Sequence, residues 1–304
     1  MPQITHLTNA NPARLCAVVT LYHKAPDESE TVASLIGPEH RKADRHSDVE
    51  ILLFDNTPNS SDPGPLPNGV QYESAGRNAG LAEAYNRALD VAGIHGCSWL
   101  LLLDQDTTLP AGFLSSLRAQ IERHGTDPEV VALIPVVRSG GEVVSPKRVV
   151  FSGLRTISEH VFGIQKSEVA AINSGVALRC DFVRSVGGFN RAYWLDYLDH
   201  WLFHQIYARG KKVALWNCTL EHHLSVQNYR QDITATRYRS IIAGESAFMT
   251  THKPKLQIPF YLFRLLARAT RLIFGRQRDL ALITMATAVK IAMHPTRSLE
   301  KRLQ

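Results

Sequence analysis

The sequence predicts an α/β fold with a mostly parallel central sheet flanked by helices. Three observations carry this. Nearly continuous apolar runs recur at Leu15–Tyr22, Val49–Phe54 and Trp99–Leu103, as in strands buried on both faces. Stretches of helical spacing lie between and after them. The runs at Phe54 and Leu103 end in polar residues, at Asp55-Asn56-Thr57-Pro58 and Asp104-Gln105-Asp106. Such strand–helix alternation builds right-handed crossovers and a parallel sheet.

Glu28–Ile36 is predicted as the helix after the first strand. Asn59–Asn68, rich in Pro, Ser and Gly, is a surface loop. Val70–Tyr72 reads as a short edge strand. Ala79–Ala92 is a helix with Leu81, Ala84, Tyr85, Ala88 and Leu89 on one face. The third long strand is followed by a helix over Pro110–Arg123 and a strand over Val130–Val137. The pattern weakens from Gly140 to Lys166, which suits antiparallel strands and loops. Ala171–Leu178 is a small-residue turn entering a strand, Asp181–Val186 a short helix closed by Gly187-Gly188, Asp196–Arg209 a helix, and Lys212–Leu215 a strand followed by Glu221-His222-His223.

Residues 251–304 hold eleven Lys and Arg against Asp279 and Glu300, a charge of +9, so residues 1–250 carry −3 of the chain's +6. We divide the chain there, into a domain over 1–250 and a basic helical segment over 251–304. In Pro259–Phe274, Arg264, Arg268 and Arg271 share one face, and Phe260, Leu262, Phe263, Leu266, Ile273 and Phe274 cover the remainder; Leu280–Met293 is a second apolar helix. Both are too short to span a bilayer. They read as an interfacial module on an anionic membrane surface or as helices packed on the main domain. The interleaved exposed aromatics of a nucleic-acid binder are absent. The four cysteines are widely spaced without a CxxC, which signals neither zinc nor a disulfide framework and fits a cytoplasmic chain. The polar stretch Met1–Arg14 has no apolar core of a secretory signal.

Chemistry concentrates at Asp104-Gln105-Asp106. Period two puts both acids on one side of the chain, just past a strand's carboxyl end, the edge where open α/β sheets bind ligands. Two carboxylates there suit a hard divalent cation that also touches phosphate. The plain alternative is a strand ending in a polar turn.

In order, the chain presents Asp55, Asn78-Ala79-Gly80-Leu81-Ala82-Glu83-Ala84-Tyr85-Asn86, Asp104-Gln105-Asp106, Asn173-Ser174-Gly175, Val186-Gly187-Gly188-Phe189-Asn190, Asp196-Tyr197-Leu198-Asp199 and Glu221-His222-His223. This resembles the family 2 glycosyltransferases of the GT-A fold, a Rossmann-like architecture, and among them the bacterial rhamnosyltransferases of surface-polysaccharide assembly. The likeness spans Leu15 to Tyr238.

The resemblance implies a role for each residue. Asp55 would hydrogen-bond the nucleotide base, with Thr20 beside it; the plain reading of Asp55 is an Asx turn with Asn56. Asn78 and Gly80 precede a helix whose N-terminus would face the diphosphate; an N-cap at Asn78 is the local reading. Asp106 would touch Mg²⁺ or Mn²⁺, and Asp104 the sugar or ribose. His222 would stand on the metal side, with His223 as the adjacent alternative and a structural histidine as the plain one. Asp199 would be the general base of an inverting displacement. Asp196 would orient Asp199 or the acceptor, and Ser174 and Gly175 would lie at the acceptor or behind the site. Arg237-Tyr238-Arg239 would help hold a diphosphate or lipid headgroup.

The implied donor is a dTDP-, UDP- or GDP-linked sugar, rhamnose among the candidates. The implied acceptor is a glycan or lipid-linked glycan at the inner face of the cytoplasmic membrane. The chain departs from the rhamnosyltransferase pattern at Trp201, where an acid is expected, at Gln205, where an Arg is expected, and at His23, where Asn is usual. A non-catalytic nucleotide-sugar binder or scaffold of the same fold is the competing expectation.

Overall fold

The computed structural model describes residues 14–37, 49–151, 153–157, 161–222 and 233–293. Its first half alternates as expected: β1 (Leu15–Leu21), α1 (Glu30–Ile36), β2 (Val49–Asp55), β3 (Val70–Ser74), α2 (Gly80–Ile94), β4 (Trp99–Asp104), β5 (Thr107–Thr108) and α3 (Phe113–His124). Then come β6 (Val130–Ser139), β7 (Glu142–Ser145), β8 (Lys147–Val150), β9 (Gly153–Thr156), β10 (Gly163–Ile164), β11 (Val169–Ala170) and β12 (Val176–Arg179). The remainder is α4 (Cys180–Ser185), α5 (Leu198–Ala208), β13 (Lys212–His222), α6 (Ala235–His252), α7 (Ile258–Phe274) and α8 (Arg278–Met293).

The central sheet runs β10-β13-β6-β12-β4-β1-β2-β3, with β5 on β13 and β7 on β6. The β4-β1-β2-β3 and β13-β6 pairings are parallel. β12 lies antiparallel between β4 and β6, so β4 has one neighbour of each direction rather than two parallel ones. The chain leaves β1 towards β2 and returns on its other side as β4. The topological switch point therefore lies between β1 and β4, where such sheets open a ligand crevice.

Alternate residues of the central strands enter two cores. Cys16, Val18, Leu100 and Leu102 pack under α2, α4 and α5, while Leu15, Ala17, Leu101 and Leu103 pack under α1 and α3. This two-sided burial is why the strands read as continuous apolar runs. A third core joins Tyr238 and Ile242 of α6 to Tyr261 and Leu265 of α7 and to Leu280 and Ile291 of α8.

Two expectations change, and one helix appears that the sequence did not signal. The helix expected from Asp196 begins at Leu198. The strand expected over Lys212–Leu215 continues to His222, because Thr219–Glu221 pair with Val136–Arg138 after a bulge. Residues 235–252 form one long helix without an amphipathic stripe, since its faces serve two cores: Ala247 and Phe248 join the main one and Tyr238 and Ile242 the third. The 250/251 division falls inside this helix.

Candidate functional site

Strand register brings three of the expected site residues together. Thr20 of β1 is level with Asp104 of β4, and Leu21 with Asp55 of β2, so Thr20, Asp55 and Asp104 share the carboxyl edge across the switch point. Thr20 is buried, and its hydroxyl donates to the Leu103 carbonyl at 3.4 Å. The buried Asp55 accepts the Thr57 amide on one oxygen and the Tyr72 hydroxyl on the other, both at 2.7 Å. An Asx turn is therefore present, closed on Thr57 rather than on Asn56.

The Asp104–Asp106 turn is fastened on three sides. The Gln105 side chain accepts the Tyr22 amide at 2.8 Å and donates to the Tyr22 carbonyl at 3.1 Å. Ser29 donates to the Gln105 carbonyl at 2.8 Å, and the Thr31 hydroxyl donates to the Thr107 carbonyl at 2.8 Å while accepting the Thr107 amide at 2.9 Å. Pairing of β5 with β13 then sets His222 opposite Thr107. The buried His222 Nδ1 lies 2.9 Å from the Thr107 hydroxyl and 3.4 Å from Asp106 Oδ1. His223 lies outside the described residues.

Asp104 accepts a short hydrogen bond from the buried Ser174 hydroxyl. Burial pushes its carboxyl above the usual carboxylate range, against the Ser174 bond and His222, and Asp106 and Asp199 push the same way. Asp199 reaches this neighbourhood from α5, which packs in the same core as Leu100 and Leu102 of β4. Asp199 Oδ1 accepts the His200 amide at 2.7 Å. The fully buried Tyr85 hydroxyl is raised by burial and by Asp104 and Asp199, with a hydrogen bond to the Asn173 side chain acting against them.

Other residues serve the scaffold. Ala79, not Asn78, is the cap position of α2, and its side chain makes no capping bond. Asn56 fastens the helix start instead, accepting the Ala79 amide at 3.0 Å and donating to the Gly80 carbonyl at 3.4 Å. Gly80 has φ +81°, and a Cβ there would strike the carbonyl and ring of Trp194. The Trp194 carbonyl takes the Ala82 amide at 3.1 Å, so at least two first-turn amides are already engaged. Gly175, also at φ +81°, leaves no room for a Cβ against Leu220 and Pro135. Asn86 clamps the Phe189 backbone with two bonds of 2.8 Å, which explains why the Asn78–Asn86 and Gly187–Asn190 stretches occur together.

Asp196 lies before the first residue of α5. It forms a two-pronged ion pair with Arg237, both contacts 2.6 Å, and accepts the Ser240 hydroxyl at 3.1 Å. Tyr238 is bonded to Thr284 at 2.7 Å. Two side chains of the 237–239 segment are thus used inside the fold. Trp201 is buried in the main core, and Gln205 accepts from Arg209 one turn on, so neither occupies the carboxylate cluster. Tyr197, entering α5 at φ +66°, stacks on His200 at 4.7 Å.

Gln105, Thr31, Thr107 and Asn56 are functional supports that sequence reasoning missed. Gln105, Thr107 and Asn56 are signalled only by their position beside or between the acids, and Thr31 in α1 carries no signal at all.

The cation site can be judged on its donors. Asp106 and His222 stand together, and Asp104 is near. Among the described residues no three His, Cys, Asp or Glu side chains are grouped as metal ligands, so a cation held by Asp106 and His222 would take its remaining ligands from substrate phosphates and water.

No protein-family model matches the chain, and no curated protein does. Among solved structures it is similar to residues 1–349 of S. aureus TarS, with 13% identity and a TM-score of 0.51 over 95% of this chain and 90% of that one. A TarS 1–349 structure in complex with UDP gives 12% identity and a TM-score of 0.48 over the same shares. A TarS structure of which 55% is covered gives 12% and 0.46 over 95% of this chain. The first likeness shows the fold: a Rossmann-like α/β architecture with a mostly parallel sheet between helices.

Proposed function

We propose that this chain is an inverting, metal-dependent glycosyltransferase. It takes a sugar, rhamnose among the candidates, from a dTDP-, UDP- or GDP-linked donor to a glycan or lipid-linked glycan of bacterial surface polysaccharide. One observation carries the reading: Thr20, Asp55, Asp104, Asp106 and His222 meet at the crevice edge, with Asp199 brought within reach of Asp104 from a separate element.

In this reading Asp55 and Thr20 hold the nucleoside, and Asp104, with Ser174, faces the ribose or sugar. Asp106 and His222 hold Mg²⁺ or Mn²⁺, which supplies positive charge to the departing diphosphate. Asp199 takes the proton from the acceptor hydroxyl as its oxygen forms the new bond to the anomeric carbon. The bond from that carbon to the diphosphate oxygen breaks on the opposite face, and the nucleoside diphosphate leaves with the electron pair.

The C-terminal helices support a place at an anionic membrane surface on the cytoplasmic side. On α7, Phe263 is 71% and Phe274 83% exposed, and Arg264 and Arg271 are exposed on the same helix. Arg268 departs from the expected cationic face, because it turns inward to the buried Glu245 with contacts of 2.7 and 2.8 Å. Exposed aromatics flanked by cations are the composition of an interfacial helix. Among the described residues, no helix is long and apolar enough to cross a membrane.

Thermal melting with a panel of UDP-, dTDP- and GDP-sugars and Mn²⁺ or Mg²⁺ tests the donor half. One nucleotide class is expected to raise the melting temperature by mass action, and EDTA is expected to remove both that shift and turnover. Turnover that survives EDTA removes the metal role. A shift without donor hydrolysis or transfer to any acceptor favours the non-catalytic binder.

A further inference from the structure

Gly244 is buried near the middle of α6. A glycine inside a helix loosens it relative to alanine, so its place there has another physical reason. A Cβ on Gly244 would come within 3.1 Å of the Asp196 carbonyl oxygen and 3.5 Å of the Tyr197 Cβ. The glycine lets α6 close directly onto the turn that leads into α5.

That turn is strained. Tyr197 caps α5 at φ +66°, in the left-handed region that a bulky side chain keeps only where its surroundings hold it. Here α6 does the holding. Arg237 grips Asp196 with two contacts of 2.6 Å, and Ser240 adds a third at 3.1 Å. Gly244 abuts the backbone about one turn further on. The Phe248 ring, another turn on, lies 6.0 Å from the Tyr197 ring and 5.8 Å from the His200 ring, centre to centre. Positions 237, 240, 244 and 248 recur at helical spacing, so one stripe of α6 makes all these contacts. Tyr197 and His200 also line a cavity of about 510 Å³ between α5, α6, α7 and the small sheet β11-β8-β9. Part of their surroundings is therefore open space rather than packed side chains.

The turn directs Asp199, which stands in the first turn of α5. The Tyr197 carbonyl accepts the Trp201 amide at 2.9 Å, and Asp199 Oδ1 accepts the His200 amide at 2.7 Å. Rotation of the turn would carry the carboxylate with it, and misplacing a reacting group by about 1 Å can cost roughly a hundredfold in rate.

We propose that Gly244 and Arg237 are positioning residues for Asp199. Together they make one face of α6 the mould that keeps the Asp196–Tyr197 turn left-handed and aims the carboxylate. This rests on the transferase reading for what Asp199 does, though not for the clamp. It takes Arg237 away from a diphosphate or lipid headgroup.

Two readouts on the full chain test it. The first is hydrolysis of the nucleotide sugar that most raises the melting temperature, followed as nucleoside diphosphate released. Gly244→Ala is expected to lower kcat about fivefold and Arg237→Gln about twentyfold, with the donor KM within about twofold of wild type. Arg237→Lys keeps the charge but not the two-pronged grip and is expected to fall between wild type and Arg237→Gln. Gly244→Ala is expected to melt within about 2 °C of wild type, because the gain in helix propensity offsets the crowding. A glycine that served packing alone would shift the melting temperature and leave kcat unchanged. The second readout is amide hydrogen exchange. The first turn of α5 is expected to exchange about fivefold faster in Gly244→Ala and Arg237→Gln, with β4 unchanged.

If Gly244→Ala does not fold, the two Arg237 variants carry both readouts. Wild-type kcat in the folded variants, or unchanged exchange in α5, overturns the proposal. So does a raised donor KM at unchanged kcat in Arg237→Gln, which would put that side chain on the donor. Failure of the transferase reading looks different: the wild type then releases no nucleoside diphosphate from any donor, while the exchange comparison still decides whether α6 holds the turn.

Discussion

The two ends of the molecule treat their side chains in opposite ways. At the carboxyl edge of β1, β2 and β4 the polar groups are fastened: Asp55 by Thr57 and Tyr72, Asp104 by Ser174, and the intervening turn by Gln105, Ser29 and Thr31. On the outer face of α7 and α8 the large apolar residues Phe263, Phe274, Leu282 and Met293 are left uncovered. The difference follows from the two kinds of interaction. Stabilising charge that develops in a reaction requires donors and acceptors fixed beforehand. Adhesion through apolar surface is non-directional and scales with area, so it asks for exposure rather than geometry. Asp199 and the cavity beside it stand between the two regimes.

The largest expected effect tests that junction. Asp199→Asn keeps the shape and the acceptor oxygen for the His200 amide but removes the proton acceptor. Transfer is expected to fall by roughly a thousandfold, while donor affinity, which belongs to the fastened edge, stays within twofold in a nucleotide-sugar titration. Transfer at the native rate would move the base elsewhere.

A matched pair of substitutions sharpens the contrast itself. Gly80→Ala adds a Cβ at φ +81° against the Trp194 carbonyl and is expected to destabilise by ~3 kcal/mol, from backbone strain and overpacking. Phe263→Ser removes a far larger side chain, yet from a position 71% exposed. Its stability is expected to stay within ~0.5 kcal/mol of wild type. Its retention on anionic liposomes is expected to drop about tenfold, the worth of burying most of a Phe side chain in the interface. Urea unfolding and liposome pelleting of the two variants should give opposite orders of effect. The same order in both assays would dissolve the distinction between the two regions.

The same contrast explains what could be read from the sequence. β1, β2 and β4 were legible as continuous apolar runs buried on both faces and α2 by its helical period, and the i, i+2 spacing placed Asp104 and Asp106 at the strand end without any tertiary information. The partners of those acids were not legible. Ser174 meets Asp104 across 70 residues, and Arg237 meets Asp196 across 41. A residue's type does not reveal which distant carboxylate it will meet. α6 was missed for a related reason: its buried residues serve two cores on different sides, so no single apolar stripe marks it. Asn78 and Gly80 show the converse. Gly80 is required by the approach of Trp194 whatever else it touches, and Asn56, not a cap at Asn78, does the fastening at the helix start.

The smallest expected effect concerns the wall between the two regions. His204 packs edge-on to Phe248 and lies 4.8 Å from His252, ring to ring. Burial lowers it to about 4, with His252, Lys253 and Arg209 acting the same way and Glu168 against; burial and Lys253 also lower His252. In the unfolded chain His204 takes up its proton near the ordinary 6.5. Between pH 6.5 and about 4 the unfolded state therefore binds more protons than the folded one, and stability contributed by neutral His204 is full above that window and lost as the pH falls through it. His204→Gln removes the titration while keeping a side chain that can hydrogen-bond. The urea midpoint of wild type is expected to fall more steeply than that of His204→Gln between pH 6.5 and 4.5, with the two slopes converging above pH 7. Parallel curves across that window would mean that the α5–α6 wall tolerates a charged imidazole, and that this part of the cavity is wetter than its aromatic lining implies.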